Sequence, residues 1–250
     1  VKSVVVSRRT CARFSKQLGL GEFLFLGRGM NLYEGAPVPA NTVEKIRSLC
    51  DPQAKFWTPY GATECLPVAV IEGEPLQLTR AGTEQGFGTC IGWALPENTV
   101  RLIKISDEPI ASWQDSLLIE QGEIGEVTVA GPSATDSYFH REHANQIAKI
   151  SEPLSDGSER IVHRMGDLAW QDSQGRLWFC GRKSQRLQTQ QGLLGTENVE
   201  PIFNIHPAVF RTALVGIGEP GQQVPVLCIE LLPDHVMPEA QLLADLQAIA

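Results

Sequence analysis

The sequence predicts an α/β chain with a β-rich middle and an α+β end. Three observations carry that prediction. An apolar period near 3.6 gives way to a period of two from residue 99, Gly and Pro punctuate the alternating stretches, and the texture changes again after Arg182. With 250 residues, 42% of them hydrophobic and 20% charged, the chain can bury a sizeable core.

Taken in order, "PVPANTVEKIRSLC" (37–50) sets Val43, Ile46 and Leu49 on one helical face, with Asn41 and Thr42 as N-cap candidates. "AKFWTPYG" reads as a strand running into a turn at Pro59 and Gly61. The Gly-rich "GTEQGFGTCIGWALPEN" (82–98) reads as a long loop. Its Gly86 and Gly88 lack the flanking strand and helix that a dinucleotide fingerprint needs. "TVRLIKI" and "GEIGEVTVAG" alternate as antiparallel strands, and "ATDSYFHREHANQIAKI" (134–150) reads as a helix. In "RIVHRMGDLAWQDSQGRLWFCGRKS" the turn "DSQG" (172–175) joins two strands as a hairpin. Beyond it, "TENVEPIFNIHPAVFRTALVGI" is a helix then a strand, "VPVLCIELL" a second strand, and "PEAQLLADLQAIA" a helix. The expected division is 1–98, 99–181 and 182–250, the last part opening at the basic run Arg182–Arg186.

Composition excludes several classes. A formal charge of −8 and a pI near 5.2 give no footprint for nucleic acid or an anionic membrane. No stretch approaches the roughly 20 apolar residues of a membrane span, so no integral membrane segment is expected. The N-terminus "VKSVVVSRRTCARFSKQ" has no long apolar core of a signal peptide. The cysteines (Cys11, Cys50, Cys65, Cys90, Cys180 and Cys228) lie far apart without a CxxC pair. They read as reduced, mostly core thiols and place the protein in the cytoplasm. "HREH" (140–143) lacks further ligands nearby and reads as a solvated helix face rather than a metal site. "DEP" (107–109) and "SDGSE" (155–159) are loop signals.

Four separated elements share a chemical theme: "EGAP" (34–37), "YGATE" (60–64), "HRMGDL" (163–168) with an Asp behind a Gly at a strand end, and "GRKS" (181–184). Singly, Tyr60 is equally a core aromatic, Glu64 a loop charge and Asp167 a turn-former. In this order, with "GEIGEVTVAG" between the second and third, the chain resembles the adenylate-forming superfamily of acyl-CoA synthetases, luciferases and peptide-synthetase adenylation domains. "YGATE", "GTCIGWALPE", "GEIGEVTVAG", "RMGDL" and "FCGRKS" carry the likeness, which runs from about Arg28 to Leu232. Within that family, "TPYGATECLPVA", "HRMGDLAW", "GRLWFCGRKSQR" and "FNIHPAVFRTALVG" resemble the olefin-pathway β-lactone synthetases.

The resemblance implies a remnant of the large adenylate-forming domain, a distorted-barrel β-rich subdomain and the start of a small C-terminal α+β domain. It implies ATP-dependent conversion of a carboxylic acid to an acyl-adenylate with release of pyrophosphate, using ATP/AMP and Mg2+. A long-chain β-hydroxy acid closing to a β-lactone is the first choice, a fatty acyl-CoA or acyl-AMP ligase the runner-up. The reading from another class is a non-catalytic nucleotide-binding or scaffold piece. The partners implied are a small carboxylic acid and other olefin-pathway enzymes.

Residue by residue, Tyr60 and Gly61 would provide the adenine platform and its turn, and Gly35, Ala36 and Pro37 a shelf around the base. Aromatic stacking of a base is typically worth roughly 1–3 kcal/mol. Thr63 would bond the α-phosphate and Glu64 would ligate Mg2+. Asp167 would accept from the ribose hydroxyls, Arg182 would contact ribose or phosphate, and Ser184 stands at the hinge position. Leu66, Pro67 and Val68 follow as acyl-pocket candidates. Two family features are not found: the phosphate loop upstream of YGxTE, and a far C-terminal Lys. The chain therefore reads as an internal piece of a longer enzyme or as a truncated gene product. "RLQTQQGLLGTENVE" has no Lys or Arg flanking Gly192, where thioester-forming members carry a basic loop, and this leans toward an intramolecular acceptor.

Overall fold

A computed structural model describes residues 31–32, 44, 48, 55–233 and 236–249. The helix expected over 37–50 lies largely outside the described residues, with Glu44 and Ser48 helical. The first part of the chain builds strands β1 (Asn31–Leu32), β2 (Phe56–Ala62), β3 (Cys65–Glu72) and β4 (Thr89–Ala94). Helices α1 (Gly73–Leu78) and α2 (Arg80–Glu84) lie between the last two. The alternating stretches supply β5 (Thr99–Ile103), β6 (Gly125–Ala130), β7 (Lys149–Pro153), β8 (Glu159–Gln171) and β9 (Leu177–Arg182), with α3 (Glu142–Ala148) before β7.

These nine strands form one mixed sheet in the order β1-β2-β3-β4-β9-β8-β6-β5, with β7 also paired to β8. The path is open, so the expected distorted barrel is not closed among the described residues. The sheet continues across residues 98/99 through the β4–β9 pair. Its core draws on both sides of that point, with Cys65 and Val68 packed against Val127, Val129, Met165 and Ala169. Every residue of β6 is buried. A strand covered on both faces reads as a near-continuous run, and the polar Glu126 and Thr128 within it need internal partners.

Three expectations change. Residues 82–98 are not a long loop, because Thr89–Ala94 pairs with β3 and β9. Gly92 hid this strand: it sits at φ +82, and a Cβ there would lie 2.1 Å from the Val70 carbonyl oxygen. Close strand approach at a bulge requires the glycine that made the stretch look loop-like. The helix predicted over 134–150 shrinks to α3. The Asn145 side chain bonds the backbone of Tyr138 in both directions (2.6 and 3.0 Å), which closes a loop in competition with helix. Pro59 and Gly61 do not end β2; Pro59 pairs with Val70, a bulge follows Tyr60, and the chain turns at Thr63–Glu64.

The "DSQG" hairpin forms as expected, with the Asp172 carboxylate accepting from the backbone of Gln174 and Arg176 at 2.9 Å each. After β9 come two small sheets, β10 (Leu187–Thr189) with β11 (Gly192–Leu194) and β12 (Val209–Ile217) with β13 (Val224–Leu231). They are accompanied by α4 (Thr196–Asn204) and α5 (Glu239–Ile249), and α5 buries Leu242 and Leu246 against Ala208 and Val209. Among the described residues no helix is long and apolar enough to cross a membrane. Cys65, Cys90 and Cys180 are buried free thiols and Cys228 is an exposed one; Cys11 and Cys50 lie outside the described residues.

Candidate active site

The end of β2, the middle of β8, the end of β9, the last turn of α3 and the first of α4 surround a cavity of about 760 Å³. Its position follows from a bulge in β8. Between the pairs Glu126↔Leu168 and Thr128↔Arg164 the register shifts, and Gly166 adopts φ +68 with open space where a Cβ would sit. The glycine is thus required by conformation rather than by crowding. Bulges of this kind re-aim side chains, and here the next residue is Asp167. Asp167 lies within β8 rather than at a strand end.

Asp167 pairs with Arg182 across β8 and β9 and is 2% exposed. Its Oδ2 accepts from the Tyr60 hydroxyl and its Oδ1 from Arg182 Nη1, each at 2.7 Å. Burial raises the Asp167 carboxyl above its ordinary range, against the opposing pull of the Tyr60 and Arg182 hydrogen bonds. Burial and the neighbouring carboxylate push the Tyr60 phenol well up. The Tyr60 ring tilts against Phe179 at 6.2 Å between centroids.

A second cluster gathers at the β2–β3 turn. Glu64 accepts at Oε1 from the Tyr138 hydroxyl (2.9 Å), and its backbone carbonyl accepts from Thr135 N (2.8 Å). Burial raises the Glu64 carboxyl, but the Tyr138 hydrogen bond, a backbone hydrogen bond and the nearby His163 and Lys149 outweigh it and hold the group below its ordinary range. Burial and Glu64 push Tyr138 up to about 12. Lys149 donates to the Thr135 carbonyl and hydroxyl and lies 5.4 Å from the Tyr138 ring centre. His163 is 3% exposed and its Nδ1 stands 3.2 Å from the Ala148 carbonyl oxygen. Burial and then the Lys149 charge lower the His163 imidazole to about 4.

Of the residues singled out from sequence, Tyr60, Gly61, Thr63, Glu64, Asp167 and Arg182 line this one cavity. Ser184 does not line it and is exposed in a 3-10 turn, Lys183–Gln185. Gly35, Ala36 and Pro37 lie outside the described residues. Leu66 lines the cavity, Pro67 is exposed and Val68 is buried in the core. His140 and His143 are exposed, and among the described residues no group of three or more His, Cys, Asp or Glu side chains is placed to hold a metal.

Sequence reasoning missed Tyr138 and His163. For His163 a signal existed, since it opens the same "HRMGD" run as Asp167. It also passed over the loop at 106–108. Arg164, 3% exposed, donates to the carbonyls of Ser106 (2.6 Å), Glu108 and Ile147 (2.9 Å each) and pairs with buried Glu126 at 2.7 Å. Lys183 joins the same carboxylate at 3.1 Å, and Arg186 pairs with Asp107. The loop is a polar anchor for the segment leaving β9.

Two relatives match strongly over most of the chain. The olefin beta-lactone synthetase of Stenotrophomonas maltophilia (strain K279a) is 61% identical over 198 residues, 79% of this chain and 36% of that protein. The olefin beta-lactone synthetase of Xanthomonas campestris pv. campestris is 60% identical over 199 residues, 80% of this chain and 36% of that protein. The model of the family described as AMP-binding enzyme matches residues 16–139. The chain belongs to the AMP-binding enzyme family.

Solved structures share the fold of this chain. The O-succinylbenzoate coenzyme A synthetase of Bacillus subtilis in complex with AMP matches with a TM-score of 0.63 at 21% identity. That match covers 96% of this chain and 43% of that one. The same synthetase in complex with ATP and magnesium ion matches with a TM-score of 0.61 at 24% identity, covering 87% and 39%. The chain spans about a third of the length of the two olefin beta-lactone synthetases, at 36% of each.

Proposed function

We propose that the protein carrying this chain activates a carboxylic acid with ATP, forming an acyl-adenylate and pyrophosphate, and that a β-hydroxyl of the same acid then closes the ring to a β-lactone. The observation that carries this reading is that Tyr60, Thr63, Glu64, Asp167 and Arg182 line one cavity. The names of the two relatives, 61% and 60% identical, support the choice of product.

In this reading Asp167 receives the ribose hydroxyls. It already accepts one bond at each oxygen, and an ionised carboxylate offers about four lone-pair sites, so two acceptor positions remain. Arg182, held by Asp167 and with 53% of its side chain exposed, keeps further N–H groups for ribose or phosphate. Tyr60 anchors its hydroxyl on Asp167 and offers its ring to adenine, Gly61 lets the backbone pass close by, and Gly35, Ala36 and Pro37 complete the base shelf. Thr63 bonds the α-phosphate. A magnesium ion shared with phosphates takes one or two protein carboxylates, and the ionised Glu64 fits that need. Bound there, magnesium supplies screening of the polyphosphate charge.

The acid's carboxylate oxygen attacks the α-phosphorus and pyrophosphate leaves. In the second step the β-hydroxyl oxygen bonds to the acyl carbon, its proton passes to solvent, and the acyl–phosphate C–O bond breaks to release AMP. Holding both reacting groups on one substrate makes this step intramolecular. The β10–β11 turn at Gly192, without a flanking Lys or Arg, supports this acceptor over coenzyme A. The reading includes a three-part division at 98/99 and 181/182, with Ser184 at the pivot, and work in the cytoplasm alongside other olefin-pathway enzymes. The free thiols Cys65, Cys90, Cys180 and Cys228 support that location.

The test is pyrophosphate release from ATP with Mg2+ and a long-chain β-hydroxy acid, followed by product analysis. Lactone and AMP without coenzyme A are expected. Thioester on addition of coenzyme A, with no lactone in its absence, overturns the choice of product in favour of an acyl-CoA ligase.

A further inference from the structure

His163 presents an acceptor that the protein leaves without a donor. A carbonyl oxygen only accepts, so Nδ1, 3.2 Å from Ala148 O, carries the ring proton and Nε2 carries the lone pair. Among the described residues no donor reaches Nε2. The Tyr138 hydroxyl, on a ring packed edge-on to the imidazole at 6.5 Å, is given to Glu64 instead. Among the described residues, the sealed polar side-chain atoms lacking a partner are Arg101 Nε, Arg164 Nε and Asn198 Oδ1. Nε2 is not one of them, and His163 lines the cavity. A nearly buried imidazole with one nitrogen anchored and the other open to a ligand cavity is a receptor for a hydroxyl or amine hydrogen.

Position identifies which one. His163 and Asp167 are four residues apart on β8, at most about 13 Å at a strand's usual rise. An acyl-adenylate extended from its ribose hydroxyls, through phosphate and carbonyl, to the third carbon of the acyl chain has that reach. We propose that His163 Nε2 accepts a hydrogen bond from the β-hydroxyl of the acid substrate, and that this contact selects hydroxy acids over their deoxy counterparts. This rests on the adenylate-forming reading above. Its physical basis is asymmetric: a deoxy acid would bury Nε2 without a donor, and sites built to bond a hydroxyl reject the analogue lacking it far more strongly than apolar pockets reject an added group. The low basicity of the ring keeps it neutral, and therefore an acceptor, throughout the neutral range.

The experiment compares pyrophosphate release by the natural protein on a 3-hydroxy acid and on the straight acid of equal chain length, as the ratio of kcat/KM. The expected ratio is about tenfold or more in favour of the hydroxy acid. It should collapse toward one in His163→Phe and survive in part in His163→Gln, whose amide oxygen restores an acceptor. A ratio near one in the natural protein overturns the proposal before any variant is made, and a ratio that persists in His163→Phe overturns it as well. No pyrophosphate release with either acid would instead defeat the adenylate-forming reading itself, so the two failures are distinct.

Discussion

Replacing Asp167 by Asn separates a ligand-binding carboxylate from a structural one. The carboxylate is 2% exposed and its two hydrogen bonds are 2.7 Å long, so a structural reading expects a large loss of stability. Yet burial raises its pKa despite those bonds, which means that desolvation of the charge outweighs what Tyr60 and Arg182 return. Asn is nearly isosteric and can give Oδ1 to Arg182 while its amide donates to the Tyr60 oxygen, so the net stability change should stay within about 1 kcal/mol. Nucleotide binding behaves differently. In the proposed function two ribose hydrogen bonds to a charged acceptor become neutral ones, a loss of about 1–1.5 kcal/mol each, or about 30–150-fold in affinity for the pair. Calorimetric titration with AMP, beside urea denaturation of the same preparation, reads both quantities for the wild type and Asp167→Asn in parallel. Unchanged AMP affinity in a folded variant, with or without lost stability, refutes the assignment.

Three further outcomes follow from the same geometry. Glu64→Gln should lower pyrophosphate release about 100-fold or more while AMP affinity changes less than about threefold, since in the proposed function the charge serves the polyphosphate and metal rather than the nucleoside; equal losses in both would move Glu64 out of that role. Glu126→Gln leaves the buried Arg164 and Lys183 without their shared anion, and should cost about 3 kcal/mol in denaturant titration, moderated by the three carbonyls Arg164 retains; a loss under about 1 kcal/mol contradicts the pairing. For His163 the folded pKa of about 4 lies below the unfolded value near 6.5, so between these the unfolded chain binds the extra proton. Stability should therefore fall by up to about 3 kcal/mol as pH drops from 6.5 to 4, with no further contribution from this group below that. His163→Gln should flatten that slope, and an unaltered slope would show that other groups produce it.

The site was legible where chemistry forces unusual residue types into short runs. "YGATE" holds a phenol, a glycine, a hydroxyl and a carboxylate within five positions, "HRMGD" an imidazole, a glycine and a carboxylate, and both runs reach the cavity. What they concealed was the backbone around them. Pro59, Gly61, Gly92 and Gly166 look like breakers in a sequence, but all four lie inside strands. Gly92 and Gly166 adopt positive φ there, and the strands containing Gly61, Gly92 and Gly166 each carry a bulge. Period-two patterning assumes an unbroken pleat, so it fails at just those bulges beside Tyr60 and Asp167 at the cavity.

Tyr138 was unreadable for a different reason. It stands 74 residues from the Glu64 to which its hydroxyl is bonded, in a stretch whose helical pattern stops short because Asn145 folds back on Tyr138 itself. The same fold-back puts the end of α3 beside β8, where the Ala148 carbonyl fixes the His163 tautomer. A short helix that looks like a failed prediction is thus what sets one nitrogen of His163 as a donor and leaves the other for a ligand. Asn145→Ala should then disturb the hydroxy-acid preference although Asn145 itself does not line the cavity. It removes both bonds to the Tyr138 backbone, so the Tyr138–Glu64 contact and the Ala148–His163 contact loosen together. An Asn145→Ala protein that keeps the full preference of the wild type would show that the tautomer is fixed by β8 alone.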